Sequence, residues 1–241
     1  MGYVEVTNLK YGKPLVILSE CFYLPSEGMF LPLFALYENG QIIYRKDTIN
    51  ENVDYFEIVL TKNEINTFIN SLPFDSIYKI KEKTIDASEG FTDQPMSILE
   101  LNINGYKKVR INGYKEKYIP KDYLIIYNKL IKYKHKNAYK WYPDNICVKF
   151  YKPFSDENYS EWPINLLKID ISAIKDNKEN ISLVLDNIYL KDYFEFYNSL
   201  TSFKNVKIKN IIFSISHEME YPNIKYMESM CDEEMFKYNN V

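Results

Sequence analysis

"SILELNINGYKKVRING", residues 97–113, decides how the first half of the chain is read. Apolar side chains alternate on both sides of Asn104-Gly105, as they do in half-buried strands. Leu99, Leu101, Val109 and Ile111 must then share one buried face. A two-residue loop at Asn104-Gly105 pairs Leu101 with Lys108 and sends the two apolar sets to opposite faces. A three-residue loop over Ile103, Asn104 and Gly105, with the glycine at positive φ, restores the parity. That register sets Leu101 opposite Lys107, Leu99 opposite Val109, and Glu100 opposite Lys108 on the other face. The first Asn-Gly is thus a hairpin turn, and the second, Asn112-Gly113, ends the strand.

The segments flanking this hairpin hold the candidate sites. On its N-terminal side, Thr92, Asp93 and Gln94 form the most concentrated polar loop, a possible site with Asp93 as general base or ligand. An Asx-turn ahead of a strand entered at Pro95 is the simpler account. On the C-terminal side, residues 105–140 carry eleven Lys and Arg against Glu116 and Asp122, interleaved with seven tyrosines. Lys107, Lys108, Arg110, Tyr114, Lys115, Lys129, Lys132 and Lys136 are the candidate binding residues. Such a stretch suits an acidic protein surface or single-stranded nucleic acid. A solvated lysine face in a lysine-rich chain is the plain alternative, and a single arginine is few for phosphate recognition. Trp141 near Pro143 and Trp162 beside Pro163 are candidate docking aromatics, or else lids over the core.

Further out, Leu15–Tyr23, "LVILSECFY", reads as a buried strand and "LFALYENGQIIYR" as a hairpin turning at Asn39-Gly40. Thr61 and Glu64 have capping-box spacing. Ile65, Phe68, Ile69 and Leu72 follow at helical spacing until Pro73. A second helix starts near Pro120, with Leu124, Tyr127 and Ile131 as its apolar stripe. In the second half, "ICVKFY", "LLKIDIS" and "ISLVL" read as strands. Residues 186–203 read as a helix with Tyr193, Phe196, Tyr197 and Leu200 inward. "VKIKNIIFSIS" changes parity near Asn210, which predicts a bulge or a break. Pro222 opens a last short helix carrying Met227, Met230 and Cys231. "EIVLTKNEINTFINSLPFDSIYKI" and "SLVLDNIYLKDYFEFYNSLTSFKNVKI" share an order of strand, cap, helix, Asn-Ser-Leu and strand.

These elements predict an α+β fold, mainly antiparallel sheet with three to four packed helices. The chain forms one compact domain over 1–241, or two subdomains, 1–142 and 143–241, divided at the turn cluster "WYPDN". Its 241 residues and 46% hydrophobic content suffice for such cores. The 23 tyrosines and 14 phenylalanines against 7 glycines follow the Ile, Asn and Lys bias of an AT-rich coding sequence.

Chemical equipment is sparse. Cys21, Cys147 and Cys231 are far apart and form no CxxC pair, against a disulfide framework or a zinc knot and in keeping with a reducing compartment. Phosphate cradles, a GxSxG elbow, HExxH and EF-hand patterns do not occur. His217, with Glu218 and Glu220 near it, is a second candidate start of a metal site or general base, with a solvated histidine beside surface acids as the plainer account. The N-terminal "MGYVEVTNLKYGK" lacks the apolar core of a secretory leader. The expectation is a non-enzymatic cytoplasmic protein that binds another protein, without cofactor or metal and away from membranes. Its specific form is a bacterial immunity-type protein occluding a toxin domain. The alternatives are a nucleic-acid-associated protein using 105–140 and an enzyme with a dispersed site near Asp93 or His217.

Overall fold

The computed structural model describes residues 10–21, 31–47, 53–91, 94–153, 158–166, 181–200, 204–208, 211–219, 221, 222 and 224. The chain is α+β and divides into two compact units, 1–141 with 221–241, and Tyr142–Glu220.

The first unit is built on an eight-stranded sheet: β1 (Pro14–Cys21), β2 (Leu31–Tyr37), β3 (Gln41–Asp47), β4 (Val53–Val59), β5 (Thr84–Asp86), β6 (Met96–Leu101), β7 (Lys107–Asn112) and β8 (Tyr139–Lys140). Their spatial order is β5-β7-β6-β1-β2-β3-β4-β8, antiparallel throughout except for the short parallel pair β5 and β7. The 97–113 hairpin has the expected register, with Leu101 opposite Lys107, Leu99 opposite Val109 and Glu100 opposite Lys108. Leu99, Leu101, Val109 and Ile111 are all buried. The β2–β3 turn repeats the device: Leu36 pairs with Ile42, leaving Glu38-Asn39-Gly40 as the loop core. In both loops only the glycine has positive φ, +98° at Gly105 and +88° at Gly40. The asparagines stay in ordinary backbone regions.

Three helices accompany the sheet: α1 (Lys62–Asn70), α2 (Phe74–Tyr78) and α3 (Lys121–Ile131). The capping box forms. Thr61 Oγ1 accepts from the Glu64 amide at 3.3 Å, and Glu64 Oε2 accepts from the Thr61 amide at 2.8 Å. Two expectations need correction. The segment after Asn70-Ser71-Leu72 is the one-turn helix α2, not a strand, so the likeness to the second-half segment fails at its last element. In α3 the buried side chains are Tyr123, Ile126 and Leu130, one position before the predicted stripe, with Leu124, Tyr127 and Ile131 on its half-buried flank. Val16, Leu18, Phe34, Leu36, Ile42, Leu99, Val109, Phe74, Ile77, Ile126 and Leu130 belong to one hydrophobic core, with Ile65, Phe68 and Ile69 of α1 packed against it.

Among the described residues the second unit has five strands, β9 (Asn145–Tyr151), β10 (Ser160–Glu161), β11 (Ile181–Asp186), β12 (Asn205–Ile208) and β13 (Ile211–Met219), in the order β10-β12-β13-β9-β11. Its helix is α4 (Asn187–Ser199). Ile146, Val148 and Phe150 alternate into the core as read. The parity change near Asn210 is a hairpin, with Ile208 paired to Ile211. "LLKIDIS" beyond Leu166, and the segment with Met227, Met230 and Cys231 expected as a last helix, lie outside the described residues.

Candidate functional site

Where β1 ends, β6 begins and β7 ends, the first unit opens a cleft of about 120 Å³. Strand pairing sets Glu20 of β1 directly opposite Ser97 of β6, so both side chains leave the same face. Above them run the first turns of α3, where Tyr123 and Tyr127, four residues apart, share a side of the helix. Their rings stack at 6.5 Å and 16°. The Tyr127 hydroxyl donates to Glu20 Oε1, and the Tyr123 hydroxyl shares a 2.9 Å hydrogen bond with Ser97 Oγ. Two polar strand residues are thus each matched to one helical phenol. Pro95, Gly113, Tyr114, Glu116, Ile119, Leu124 and Asn128 complete the walls.

Burial pushes the Tyr123 phenol far up, against a smaller lowering by its hydrogen bond with Ser97, and the Glu20 charge adds a lesser upward push. Tyr127 rises likewise, first by burial and then through its bond to Glu20. Both remain proton donors across the physiological range. Ser97 has a phenol as its hydroxyl partner rather than a base, which is not the arrangement of an activated nucleophile.

Gly113 explains the second Asn-Gly. Its φ is +90°, its amide donates to the Pro95 carbonyl at 2.9 Å, and a Cβ there would stand 2.6 Å from the Ala87 carbonyl oxygen. The Ala87–Phe91 loop is tied to the next segment by Glu89, which pairs with Lys115 at 3.3 Å and also with Lys117. Those two lysines hold the Glu89 carboxyl below its usual range. The exposed rings of Phe91, Tyr114 and Tyr118 stand on these two tied segments, at 61%, 59% and 48% exposure.

The eleven basic residues of 105–140 separate into two sets. Lys107 donates to the Ile80 carbonyl, Lys108 pairs with Glu100 at 3.7 Å, Lys140 pairs with Asp54 at 2.7 Å, and Lys115 and Lys117 serve Glu89. Arg110 is buried in the sheet. These six are engaged within the fold. Lys121, Lys129, Lys132, Lys134 and Lys136 are exposed and form no ion pair among the described residues. Of the tyrosines, Tyr123 is buried, while Tyr127 and Tyr133 are half-buried. Tyr133 packs edge-on against Phe34, Phe68 and Tyr44.

Trp141 and Trp162 are lids, not docking rings. Trp141 is 3% exposed and packs against Tyr55 and Tyr221. Trp162 is 4% exposed, among Phe150, Tyr193 and Phe196. Thr92 and Asp93 lie outside the described residues. Gln94 is half-buried, and the two residues that follow it in the cleft wall are Pro95 and Ser97.

His217 lies on β13 and its ring faces α4. Tyr193, Phe194 and Tyr197 meet it edge-on at 5.5, 5.2 and 4.6 Å, and the Tyr193 hydroxyl is 3.2 Å from Nδ1. Burial, with Lys204 nearby, lowers its pKa to about 4. A neutral imidazole inside an aromatic box is a packing group, with the Tyr193 hydroxyl as its polar partner. Among the described residues no three His, Cys, Asp or Glu side chains are grouped to hold a metal, and no helix is long and apolar enough to cross a membrane.

The grouping of Glu20 and Ser97 with Tyr123 and Tyr127 escaped the sequence reading, which placed the two tyrosines only in the basic segment and its helix. One signal was present: Glu20 is the sole charged residue in the apolar run Leu15–Tyr23. Compared with protein-family models, with curated proteins and with solved structures, the chain gives no significant match.

Proposed function

We propose that this protein is a non-catalytic binding module whose partner is an acidic protein surface, engaged through the outer face of α3. One observation carries the reading. Lys121, Ile125 and Lys129 follow at i, i+4 and i+8, with Asn128 and Lys132 beside them, and Ile125 is 53% exposed at the centre of that basic stripe. A protruding aliphatic group flanked by Lys121 and Lys129, neither in an ion pair among the described residues, with Asp122 as the one acid one turn away, is the pattern of an apolar contact with a charged rim. The exposed Tyr114 and Tyr118 precede α3 in the chain and extend the same contact with rings that cost little entropy to immobilise. Occlusion of a toxin domain is the most specific form of this role. The domain's contact surface would then have to be acidic.

The same face is poorly equipped for single-stranded nucleic acid. Its apolar centre is Ile125 and not a stacking ring, the helix's own tyrosines are turned inward, and the arginine of the segment is buried. Capture from native cells with tagged protein tests the choice. The wild type should retain a stoichiometric protein partner. Ile125→Asp and Lys129→Glu, both at exposed positions and with melting temperatures within a few degrees of wild type, should each weaken that complex at least tenfold, about 1.4 kcal/mol. Undiminished capture by both variants would refute the assignment. Salt-sensitive binding of labelled single-stranded RNA in its place would favour the nucleic-acid role.

A further inference from the structure

The cleft beside α3 has a character opposite to that of the helix's outer face. It lies against the most basic stretch of the sequence, yet no lysine, arginine or histidine lines it, while Glu20 and Glu116 both do. An anionic ligand would meet two carboxylates with no compensating charge. Glu20 is half-buried and accepts one hydrogen bond, from Tyr127. A carboxylate has about four lone-pair sites, so most of its accepting capacity remains. A partly desolvated charge thus faces the cleft with no counterion among the described residues. The other groups at hand are three phenol rings, those of Tyr114, Tyr123 and Tyr127. A carboxylate among aromatic rings is a recognised solution for holding an organic cation. At about 120 Å³ the space is far below the roughly 300 Å³ of a drug-sized site, and suits a short unbranched chain with its head group.

We infer that the cleft binds a primary alkylammonium group, either a small linear amine or the side chain of a lysine, with Glu20 as counterion and the tyrosine rings as walls. The phenols serve in their protonated form. Tyr127 fixes the Glu20 carboxylate by donating to one oxygen, and Tyr123 is anchored to Ser97, so the walls are set before the ligand arrives. The cleft borders the outer face of α3 and shares Tyr114 and Asn128 with it, but Glu20 and Ser97 belong to the sheet and not to that face, so either proposal can fail without the other.

The test is an NMR titration of the labelled full chain, without any partner, using n-butylammonium chloride, n-butanol and sodium butyrate. The ammonium ion should give saturable shifts at the Ser97, Gly113 and Tyr127 amides with a millimolar Kd, and the alcohol and the carboxylate should bind at least tenfold more weakly. Glu20→Gln should lose tenfold or more with its melting temperature little changed. Tyr127→Phe keeps both ring and carboxylate but frees the carboxylate, so it should weaken binding, though by less than Glu20→Gln does, which separates loss of charge from collapse of the cleft. Nα-acetyl-lysine methylamide binding as well as n-butylammonium points to a lysine side chain, and its exclusion points to a free amine. Equal binding of n-butanol, an unaffected Glu20→Gln variant, or no saturable shift with n-butylammonium would overturn the assignment.

Discussion

Replacing Gly40 with alanine will destabilise the first unit by about 4 kcal/mol, the sum of a left-handed backbone cost and an overpacking cost. Gly40 combines a φ of +88° with a blocked Cβ direction. An added methyl would fall inside van der Waals contact of the Leu60 carbonyl oxygen and 2.9 Å from Ile65 Cδ1. The Ile65 methyl ends a side chain and can shift, but the Leu60 carbonyl is backbone and cannot yield cheaply. Leu60 is held by its own amide, which donates to the Gly40 carbonyl at 2.9 Å, and Thr61, the next residue, is the N-cap of α1. Relieving the clash means moving the exit of β4 and the start of the helix together. Gly105 is the internal control. Its φ is +98°, yet nothing lies within 4 Å of its Cβ direction, so Gly105→Ala should cost only about 1 kcal/mol. In thermal unfolding, Gly40→Ala should lose roughly 10 °C and Gly105→Ala only a few degrees. Equal losses for the two would show that space at Gly40 is not the constraint.

Acid will unfold the second unit through His217. Its folded pKa of about 4 lies below the ordinary 6.5, so between these values the unfolded chain binds a proton that the folded chain refuses. The stabilisation is complete above about pH 6.5 and is lost as pH falls toward 4, up to a total on the order of 3 kcal/mol. The groups facing the imidazole are Tyr193, Tyr197, Phe194 and the Lys204 charge, none of which can stabilise an imidazolium as a carboxylate would. A His217→Phe, Tyr193→Phe double variant keeps aromatic rings at both positions and leaves no hydroxyl without its partner. Denaturant midpoints of the second unit, compared at pH 7.5 and pH 4.5, should fall markedly further for wild type than for the double variant. Parallel declines would contradict the account.

The parts of the fold legible in advance were those in which one local rule admits one answer. Side-chain parity left the 97–113 hairpin a single workable register. Thr61 and Glu64 could satisfy each other's backbone amides whatever the rest of the chain did. The phase of α3 was not so constrained. Its sequence offers apolar residues at Tyr123, Leu124, Ile125, Ile126 and Tyr127 in succession, so helical spacing alone accommodates neighbouring stripes, and packing on the sheet selects Tyr123, Ile126 and Leu130. For the same reason Ile125 could not be singled out as the exposed member. The basic stretch 105–140 was visible as composition, but its division was not, because the acceptors Glu89, Asp54 and the Ile80 carbonyl lie elsewhere in sequence. The cleft is the extreme case: Glu20 and Tyr127 are 107 residues apart, and only the packing of α3 on the sheet brings them together, as the pairing of β1 with β6 brings Glu20 to Ser97.

Hydrogen–deuterium exchange of the protein, alone and saturated with its captured partner, tests the contact face most directly. Binding through α3 predicts slowed exchange in peptides covering residues 114–136 of the first unit, with the β9–β13 sheet unchanged. Partner-dependent protection confined to other segments, with α3 exchanging as it does in the free protein, would contradict it.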